Sequence, residues 1–384
     1  MDFTFTEEQL AAAEAARGVF TGVAPDAVPS PARTTGAVAE DFDRALWDRL
    51  AHADLLSLLL GEEYGGAGLD AIALCLVLRE SAKVLARVPL LESSAAAAAV
   101  QAFGGRELGE RLLARAGRGE LVLTVAANGR TGHDGAELAV SARREGEVWV
   151  LDGVQTGVPW AYGADLVVVP ARTDATDAAV GAGRTVLALV APGQVGAALA
   201  EQVSTSGERL GELRLESVRI AAGDVVEADG AWEWLRALLA TGTCALALGL
   251  GERVLRMTSE YTGKREQFGY PVATFQAVAV QAADRYIDLR AMEATLWQAA
   301  WRIGSGAQGV LPAFGDVAVA KIWASEGVRR VVQTAQHLHG GFGADTDYPL
   351  HRYHAWAKHL ELALGPAAAY EEELGDLLAA HPLA

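Results

Sequence analysis

The pattern of apolar residues changes twice along the chain, and these two changes constrain the fold more than any single motif. Residues 1–118 place apolar positions at the three-to-four spacing of helices, with a capping signal at Thr6 before an alanine-rich stretch. Residues 119–226 contain short runs rich in β-branched residues, separated by Asn-Gly, Glu-Gly and Asp-Gly turn signals. Helical spacing returns over residues 227–384. The sequence therefore predicts an α+β protein with an N-terminal helical domain, a middle β-barrel or sandwich, and a C-terminal four-helix bundle.

The predicted elements of the last two domains can be placed from their boundaries. The strand-like runs lie at 121–128, 138–153, 165–173, 185–192 and 210–220. The long helical segments lie at 231–261, 273–304, 314–336 and 350–380. Glycines and prolines stand between these segments, as expected for connections between packed helices.

Composition and charge exclude several classes of protein. Apolar residues make up 51% of the chain and charged residues 21%, so a large core is available and disorder of the whole chain is excluded. A net charge of −17 argues against a nucleic-acid backbone or an anionic membrane surface as the main partner. The apolar run at 235–250 is too short to span a bilayer, and the N-terminus lacks a signal-peptide pattern. We therefore expect a soluble, cytoplasmic protein.

The sequence gives little reason to expect a metal centre or a serine nucleophile. Cys75 and Cys244 lie far apart in apolar segments, which is typical of buried thiols rather than a disulfide framework. His337 and His339 are two residues apart, so they would not face one metal ion from a helix. We expect no bound metal, and no G-x-S-x-G elbow is present in the sequence.

One candidate binding segment follows the first helix of the predicted bundle. Arg265 can make a forked contact with a phosphate, and Phe268 can stack on a ring. Gln276 begins the next helix and could bind an adenine or amide edge. The alternative interpretation is a solvated helix end followed by a turn.

A second candidate segment follows a later helix of the bundle. Gly340, Gly341 and Gly343 would let the backbone approach a ligand closely and offer N–H groups to a phosphate. The alternative interpretation is a helix C-cap made of glycines. Neither segment decides the function by itself.

Taken together, three stretches resemble the acyl-CoA dehydrogenase family over nearly the whole chain. They are GEEYGGAGLD at 61–70, YTGKREQFGYPVATFQAV at 261–278 and QHLHGGFGADTDYPLHRY at 336–353. The resemblance implies an FAD flavoprotein, commonly a homotetramer or a related assembly, that removes a proton from Cα and a hydride from Cβ of an acyl-CoA thioester. It also implies a role in fatty acid or steroid degradation, with an electron-transfer flavoprotein as redox partner.

The resemblance also implies the cofactor-binding residues. In the family, the R-x-x-F segment and the glycine segment reach across a subunit interface to the FAD of a neighbouring subunit. By that match the FAD-binding candidates are Arg265, Phe268, Gln276, His337, Gly340 and Gly341. His337 stands where the family usually has Gln.

The catalytic base of the family has no counterpart at the expected positions. Its usual Glu precedes a Gly sixteen residues after the Tyr of the Y-P motif, and Leu364 stands there. A second subgroup places the Glu 26 residues before the Arg of R-x-x-F, and Leu239 stands there. The next position, commonly Arg in the family, is Ala240, and Arg236 lies one turn away. The catalytic residue is therefore unknown from the sequence.

The flavin-facing part of the β domain departs from the family as well. The segment at 124–137 reads TVAANGRTGHDGAE instead of the usual Thr-Glu-Pro and Gly-Ser-Asp pattern. Gly157 and Pro159 stand where the family often has a Trp-Ile-Thr or Ser that covers the flavin ring. The contacts to a neighbour's FAD thus look retained, while those to the chain's own flavin look degraded.

This asymmetry favours one hypothesis and leaves others open. The chain resembles the base-deficient subunit of actinobacterial α2β2 acyl-CoA dehydrogenases, in which a homologous chain supplies the base. The alternatives are a homomeric dehydrogenase with a relocated base, for which Glu361 is the candidate, a non-redox acyl-thioester-binding or scaffold protein, and a flavin monooxygenase or tailoring enzyme. The acyl chain, and whether CoA or an acyl carrier protein bears it, remain open.

Overall fold

The computed structural model describes residues 4–25, 38–39, 41–131, 138–173 and 183–382. Helices make up the N-terminal part: α1 Glu7–Phe20, α2 Arg44–His52, α3 Ala71–Ala82, α4 Leu90–Phe103 and α5 Arg106–Gly117. The capping signal at Thr6 is a full capping box, because the Thr6 hydroxyl accepts from the Gln9 N–H at 3.2 Å and the Gln9 side chain accepts from the Thr6 N–H at 3.0 Å. Gln9 also donates to Asp70, the N-cap of α3, and so joins α1 to α3.

The middle part is a mixed, mainly antiparallel sheet. Its strands are β1 Leu123–Val125, β2 Val140–Glu145, β3 Val148–Pro159, β4 Leu166–Thr173, β5 Thr185–Val190, β6 Ala197–Val203, β7 Arg209–Ala221 and β8 Val225–Val226. They run in the order β6-β7-β3-β2-β4-β5-β8, with β1 paired in parallel to β4. A cluster of buried residues that includes Trp149, Leu151 and Val169 forms the core of this sheet.

Two details of the sheet differ from the sequence-based expectations. Asp152-Gly153 lies inside β3, at a register shift, rather than in a turn. Gly153 has φ +149°, and a Cβ there would lie 2.2 Å from the Ala139 carbonyl oxygen, so this position requires glycine. By contrast, Gly146, which follows the last residue of β2 and has φ +65°, lies in the predicted turn between β2 and β3. Strand β6 was not predicted, since its sequence AALAEQV lacks β-branched residues apart from its last position.

The C-terminal part consists of long helices with a small hairpin between the first two. The helices are α6 Ala231–Lys264, α7 Gln276–Ser305, α8 Ala313–His339, α9 Leu350–Leu362 and α10 Ala367–Ala380, and the hairpin pairs β9 Glu266–Gln267 with β10 Tyr270–Pro271. The prediction of one helix over 350–380 is wrong. The chain breaks between α9 and α10, where Leu364 has φ +60°, Gly365 has φ +107° and Pro366 starts the next helix.

Helix α6 lies at the centre of the molecule. Among the described helices it is the one long and apolar enough to cross a membrane, with a mean hydropathy of 1.4, but 83% of that window is buried inside the protein. It packs against α3, α4, α7, α8 and α9. Such burial is typical of a core helix, and it brings the N-terminal helices, the sheet and the bundle around a common interior.

Candidate functional site

The first predicted binding segment lies on the surface at the end of α6. Arg265 follows the helix as its C-cap and is exposed, with no ion pair among the described residues. Phe268, at the tip of the β9–β10 hairpin, is 88% exposed and has φ +53°. Its ring meets Phe275 edge-on at 6.3 Å, one residue before the exposed Gln276 at the start of α7. A guanidinium, an amide and an aromatic ring are thus presented to the outside of the chain.

The second predicted segment lies at the end of α8. His337, Gly340 and Gly341 are exposed, and a Cβ at either glycine would meet nothing within 4 Å. Gly340 has φ +60° and its N–H donates to the His337 carbonyl, so the glycine C-cap interpretation also holds. The two interpretations are compatible, because a capped helix end can still present backbone groups to a ligand.

Aromatic packing brings these two helix ends together. The buried His339 ring stacks on Tyr261 of α6 at 4.4 Å, and the Tyr261 hydroxyl donates to the His339 carbonyl at 3.3 Å. His339 Nδ1 lies 2.7 Å from the Ala335 carbonyl oxygen and its Nε2 lies 3.2 Å from the Tyr348 hydroxyl. Burial lowers the pKa of His339, which favours the neutral form of the ring. His339 therefore orients the glycine turn rather than presenting a charge to a ligand.

A cavity lies beside the N-terminal half of α6, between α4, α9 and the sheet. We call its larger part the main chamber; it has a volume of about 350 Å³ and is lined by Asn128, Gly157, Leu239 and Leu364, among others. The adjoining side chamber, of about 80 Å³, has Trp160 and Trp356 in its wall. Glu92, Thr243 and His359 line both chambers. The main chamber has the size of a small-molecule site.

Both positions that the resemblance aligns with a catalytic Glu face this main chamber as leucines. Leu239 comes from α6 and Leu364 from the break after α9. Ala240 is fully buried, and Arg236 lies elsewhere, paired with Glu373 of α10 and stacked over Phe314. Arg236 therefore does not take the place of the family arginine in this chamber.

Glu361, the candidate for a relocated base, forms an ion pair outside the cavity. Its carboxylate lies 2.7 Å from Lys358 Nζ, one turn away on α9. Lys358 lines the main chamber, whereas Glu361 is not among the residues that line either chamber. Its position makes Glu361 a partner for Lys358 rather than a base within the cavity.

On the β-domain side of the main chamber, the backbone groups of the lining residues Gly157 and Pro159 form hydrogen bonds within the chain. Gly157 has φ +59°, its carbonyl accepts from Asn128 Nδ2 at 3.0 Å, and its N–H donates to Gln202 Oε1 at 2.7 Å. The Pro159 carbonyl accepts from the Thr124 hydroxyl at 2.7 Å. Residues 132–137 of the divergent TVAANGRTGHDGAE segment lie outside the described residues.

Sequence reasoning missed one acidic residue of the cavity. Glu92, in the first turn of α4, accepts a hydrogen bond from Trp160 Nε1 at 3.1 Å. Burial raises the pKa of Glu92 to about 7, and burial lowers the pKa of His359 to about 4. The available signal was a carboxylate inside the apolar run LLESSAAAAAV, although Trp160 is 68 residues away in the chain.

The residues suit FAD at the exposed helix ends and less well in the chamber. Arg265, Gln276 and the exposed backbone at Gly340 and Gly341 offer donors for a phosphate-bearing group. In the chamber, Gly157 uses its backbone groups internally and has no side chain to cover a flavin ring. The donor set thus fits the phosphate side of FAD.

Comparisons with known proteins agree with this arrangement. The model "Acyl-CoA dehydrogenase, N-terminal domain" matches residues 6–120, and "Acyl-CoA dehydrogenase, C-terminal domain" matches residues 238–373. The chain is 38% identical to acyl-CoA dehydrogenase FadE27 of Mycobacterium tuberculosis, with all of both chains covered.

Two solved structures are similar over almost their full length. The ChsE4-ChsE5 complex from Mycobacterium tuberculosis contains a chain with TM-score 0.89 and 37% identity, with both chains covered completely. A variant of the Tcur3481-Tcur3483 steroid ACAD gives TM-score 0.88 and 36% identity, covering 97% of this chain and 98% of the other. From its sequence, fold and full-length relatives, this chain belongs to the acyl-CoA dehydrogenase family of FAD oxidoreductases.

Proposed function

We propose that this chain is the subunit without a catalytic base in a heteromeric acyl-CoA dehydrogenase, where it completes the FAD site of a homologous partner. The observation that carries the proposal is that Leu239 and Leu364 line the same chamber. A carboxylate at either place would face the cavity, but a leucine side chain can neither accept nor hold the α-proton. Proton abstraction is therefore assigned to the partner chain.

The exposed ends of α6 and α8 support the second half of the proposal. Arg265, Phe268 and Gln276 point away from the chain's own core, which suits contacts with a cofactor held by a neighbouring subunit. The similar ChsE4-ChsE5 structure is itself a complex of two proteins. FAD, when bound, supplies the two-electron redox chemistry, and an electron-transfer flavoprotein is the proposed electron acceptor.

Within such a complex this chain binds and orients rather than reacts. Arg265 would hold a phosphate through its guanidinium, Phe268 would cover an adjacent ring, and Gln276 would bind an amide or adenine edge. His337, Gly340 and Gly341 would add contacts from the end of α8. The partner would supply the base for Cα–Cβ desaturation of an acyl-CoA, with steroid-derived acyl groups as the proposed class because a related structure is named a steroid ACAD.

Substitution of Arg265 tests whether this chain completes the FAD site of its partner. The chain is co-expressed with its nearest encoded homologue as wild type, as Arg265→Ala and as Arg115→Ala, the last being an exposed arginine on α5. We expect Arg265→Ala to leave the mixed complex assembled but to weaken FAD retention at least tenfold, because a charge-assisted phosphate contact is lost.

The outcomes of that experiment separate clearly. Arg115→Ala should retain FAD like the wild type, since Arg115 lies on a different element. If Arg265→Ala retains flavin as well as Arg115→Ala does, the hairpin does not complete a partner's site. If flavin is absent with every co-encoded homologue, the non-redox scaffold interpretation replaces the proposal.

A second candidate is a self-sufficient dehydrogenase, and one observation favours it. Glu92 is a carboxyl group with a pKa of about 7 in the wall of the main chamber, as suits a general base. Under this alternative the chain alone carries FAD and oxidises an acyl-CoA. Glu92→Gln would then abolish the activity, while Glu361→Gln would preserve it.

A further inference from the structure

Two titratable side chains without an ion pair stand in a cavity wall that is mainly apolar. Glu92 of α4 and His359 of α9 line both chambers, and the surrounding walls include Leu78, Leu246 and Trp356. The Trp356 ring meets His359 edge-on at 5.8 Å. Polar groups in such surroundings are costly to bury without partners, so their presence in the wall calls for a ligand that provides hydrogen bonds.

The charged groups around them are already neutralised. Glu208, just before β7, accepts from Arg87 at 2.8 Å, and Arg209, the first residue of β7, pairs with Glu201 at 2.8 Å. From α9, Lys358 pairs with Glu361. Among the described residues, Glu92 and His359 are the titratable groups of the cavity wall that have no ion pair.

The chemistry of the pair selects the kind of ligand. A protonated carboxyl group can donate one hydrogen bond and accept another, and a neutral imidazole can do the same. A hydroxyl group also donates and accepts, so it matches both side chains. A carboxylate ligand would meet no unpaired cation here, and it would lose its hydration without compensation.

We propose that the two chambers bind a bulky, mainly apolar molecule that carries one uncharged hydroxyl group, which hydrogen-bonds to Glu92 and His359. Trp160 holds the Glu92 carboxyl in place through its indole N–H. The apolar body would occupy the main chamber, whose volume of about 350 Å³ admits fused-ring compounds. This site goes beyond the proposed function, because binding in this chain's own cavity requires neither FAD nor a partner.

Three probes of equal ring size test the inference. Equilibrium dialysis at about pH 6 compares 2-naphthol, naphthalene and 2-naphthoate on the purified full chain and on the mixed complex. We expect 2-naphthol to bind at least about fivefold more tightly than naphthalene, because it gains hydrogen bonds to Glu92 and His359, and 2-naphthoate to bind most weakly.

Variants then assign the preference to Glu92. Glu92→Leu should weaken the preference for 2-naphthol over naphthalene to the part that His359 provides, whereas Glu107→Leu, at an exposed position on α5, should keep the full wild-type preference. Glu92→Gln keeps an uncharged donor and acceptor, so it should retain the preference both at about pH 6 and at about pH 8.5. In the wild type the preference should increase at the higher pH, because ionised Glu92 accepts a stronger, charge-assisted hydrogen bond from the hydroxyl group.

Several results would overturn the inference. Equal affinity of the wild type for 2-naphthol and naphthalene would do so, as would a preference in Glu92→Leu as large as that of the wild type. If Glu92→Leu does not fold, a wild-type preference that is the same at both pH values and matches Glu92→Gln would contradict it. Because flavin is not part of the readout, a chain that proves to be FAD-loaded and active alone would refute the proposed function without affecting this result.

Discussion

At the scale of single residues, the cavity wall holds two titratable side chains shifted in opposite directions by one cause. Burial disfavours the charged form of each, so the pKa of Glu92 rises to about 7 and that of His359 falls to about 4. At about pH 6 both groups are therefore largely uncharged. The Trp160 indole donates to Glu92 and limits the shift, since that hydrogen bond favours the carboxylate.

The raised pKa of Glu92 predicts a specific pH dependence of stability. The folded state holds this proton more tightly than the unfolded state, so Glu92 stabilises the fold most at low pH, and this contribution is lost as the pH rises towards 7. Between about pH 5 and pH 8 the wild type should lose about 2 kcal/mol of unfolding free energy relative to Glu92→Gln. Urea unfolding at both pH values measures the difference.

The control for this comparison is an exposed carboxyl. Glu107→Gln should follow the wild type across the same pH range, because Glu107 is exposed on α5. Parallel curves for the wild type and Glu92→Gln would show that Glu92 does not titrate as described.

Glu92 also shows why only part of the site could be predicted from the sequence. The R-x-x-F and glycine segments are local patterns, so Arg265 and Gly340 could be named without a structure. Glu92 could not be named in this way. Its hydrogen-bond partner Trp160 lies far away in the chain, and the cavity that both residues line forms only in the folded protein. The assignment of the six cofactor candidates itself stays a prediction.

At the scale of elements, the break between α9 and α10 depends on a buried lysine. Lys321 of α8 is fully buried, and its Nζ donates to the carbonyls of Glu361 and Gly365 at 3.2 and 3.0 Å and to Ser325 at 2.7 Å. Burial lowers its pKa to about 8. These bonds satisfy carbonyl groups at the end of α9 and hold Leu364 at its positive φ, facing the main chamber.

Removing this lysine should loosen the segment beside the chamber. Lys321→Met should lower the free energy of unfolding by about 3 kcal/mol, because it leaves buried carbonyl groups without a donor. Hydrogen exchange of the amides at 361–365 should accelerate more than exchange in α1. Ser325→Ala removes one of the acceptors and should cost less than half as much.

An unchanged exchange rate at 361–365 in Lys321→Met would contradict the role given to Lys321. The break also explains an error of the sequence-based prediction. The helical spacing of apolar residues over 350–380 favoured a continuous helix, and Pro366, which disfavours a helix through the preceding residue, was not taken into account. The contacts that stabilise the break come from α8, which sequence spacing alone does not reveal.

At the scale of the whole molecule, the two ends of the central helix α6 have different surroundings. The C-terminal end presents Arg265 and the hairpin outwards, while Leu239, in the first third of the helix, lines the main chamber. The order of helical, β and helical segments was predictable because each has its own apolar period. The binding partner of the exposed end could not be predicted, because the apolar pattern of one chain does not report which surface of another chain it fits.

The central claim is that the chain completes a partner's FAD site and lacks a complete site of its own. The most direct measurement is the flavin absorbance and native mass of the chain, purified alone and again after co-expression with its nearest encoded homologue. The account predicts no bound flavin in the chain alone, and a mixed tetramer with about one FAD for every two chains. A chain that alone carries about one FAD per subunit and oxidises acyl-CoA would contradict it.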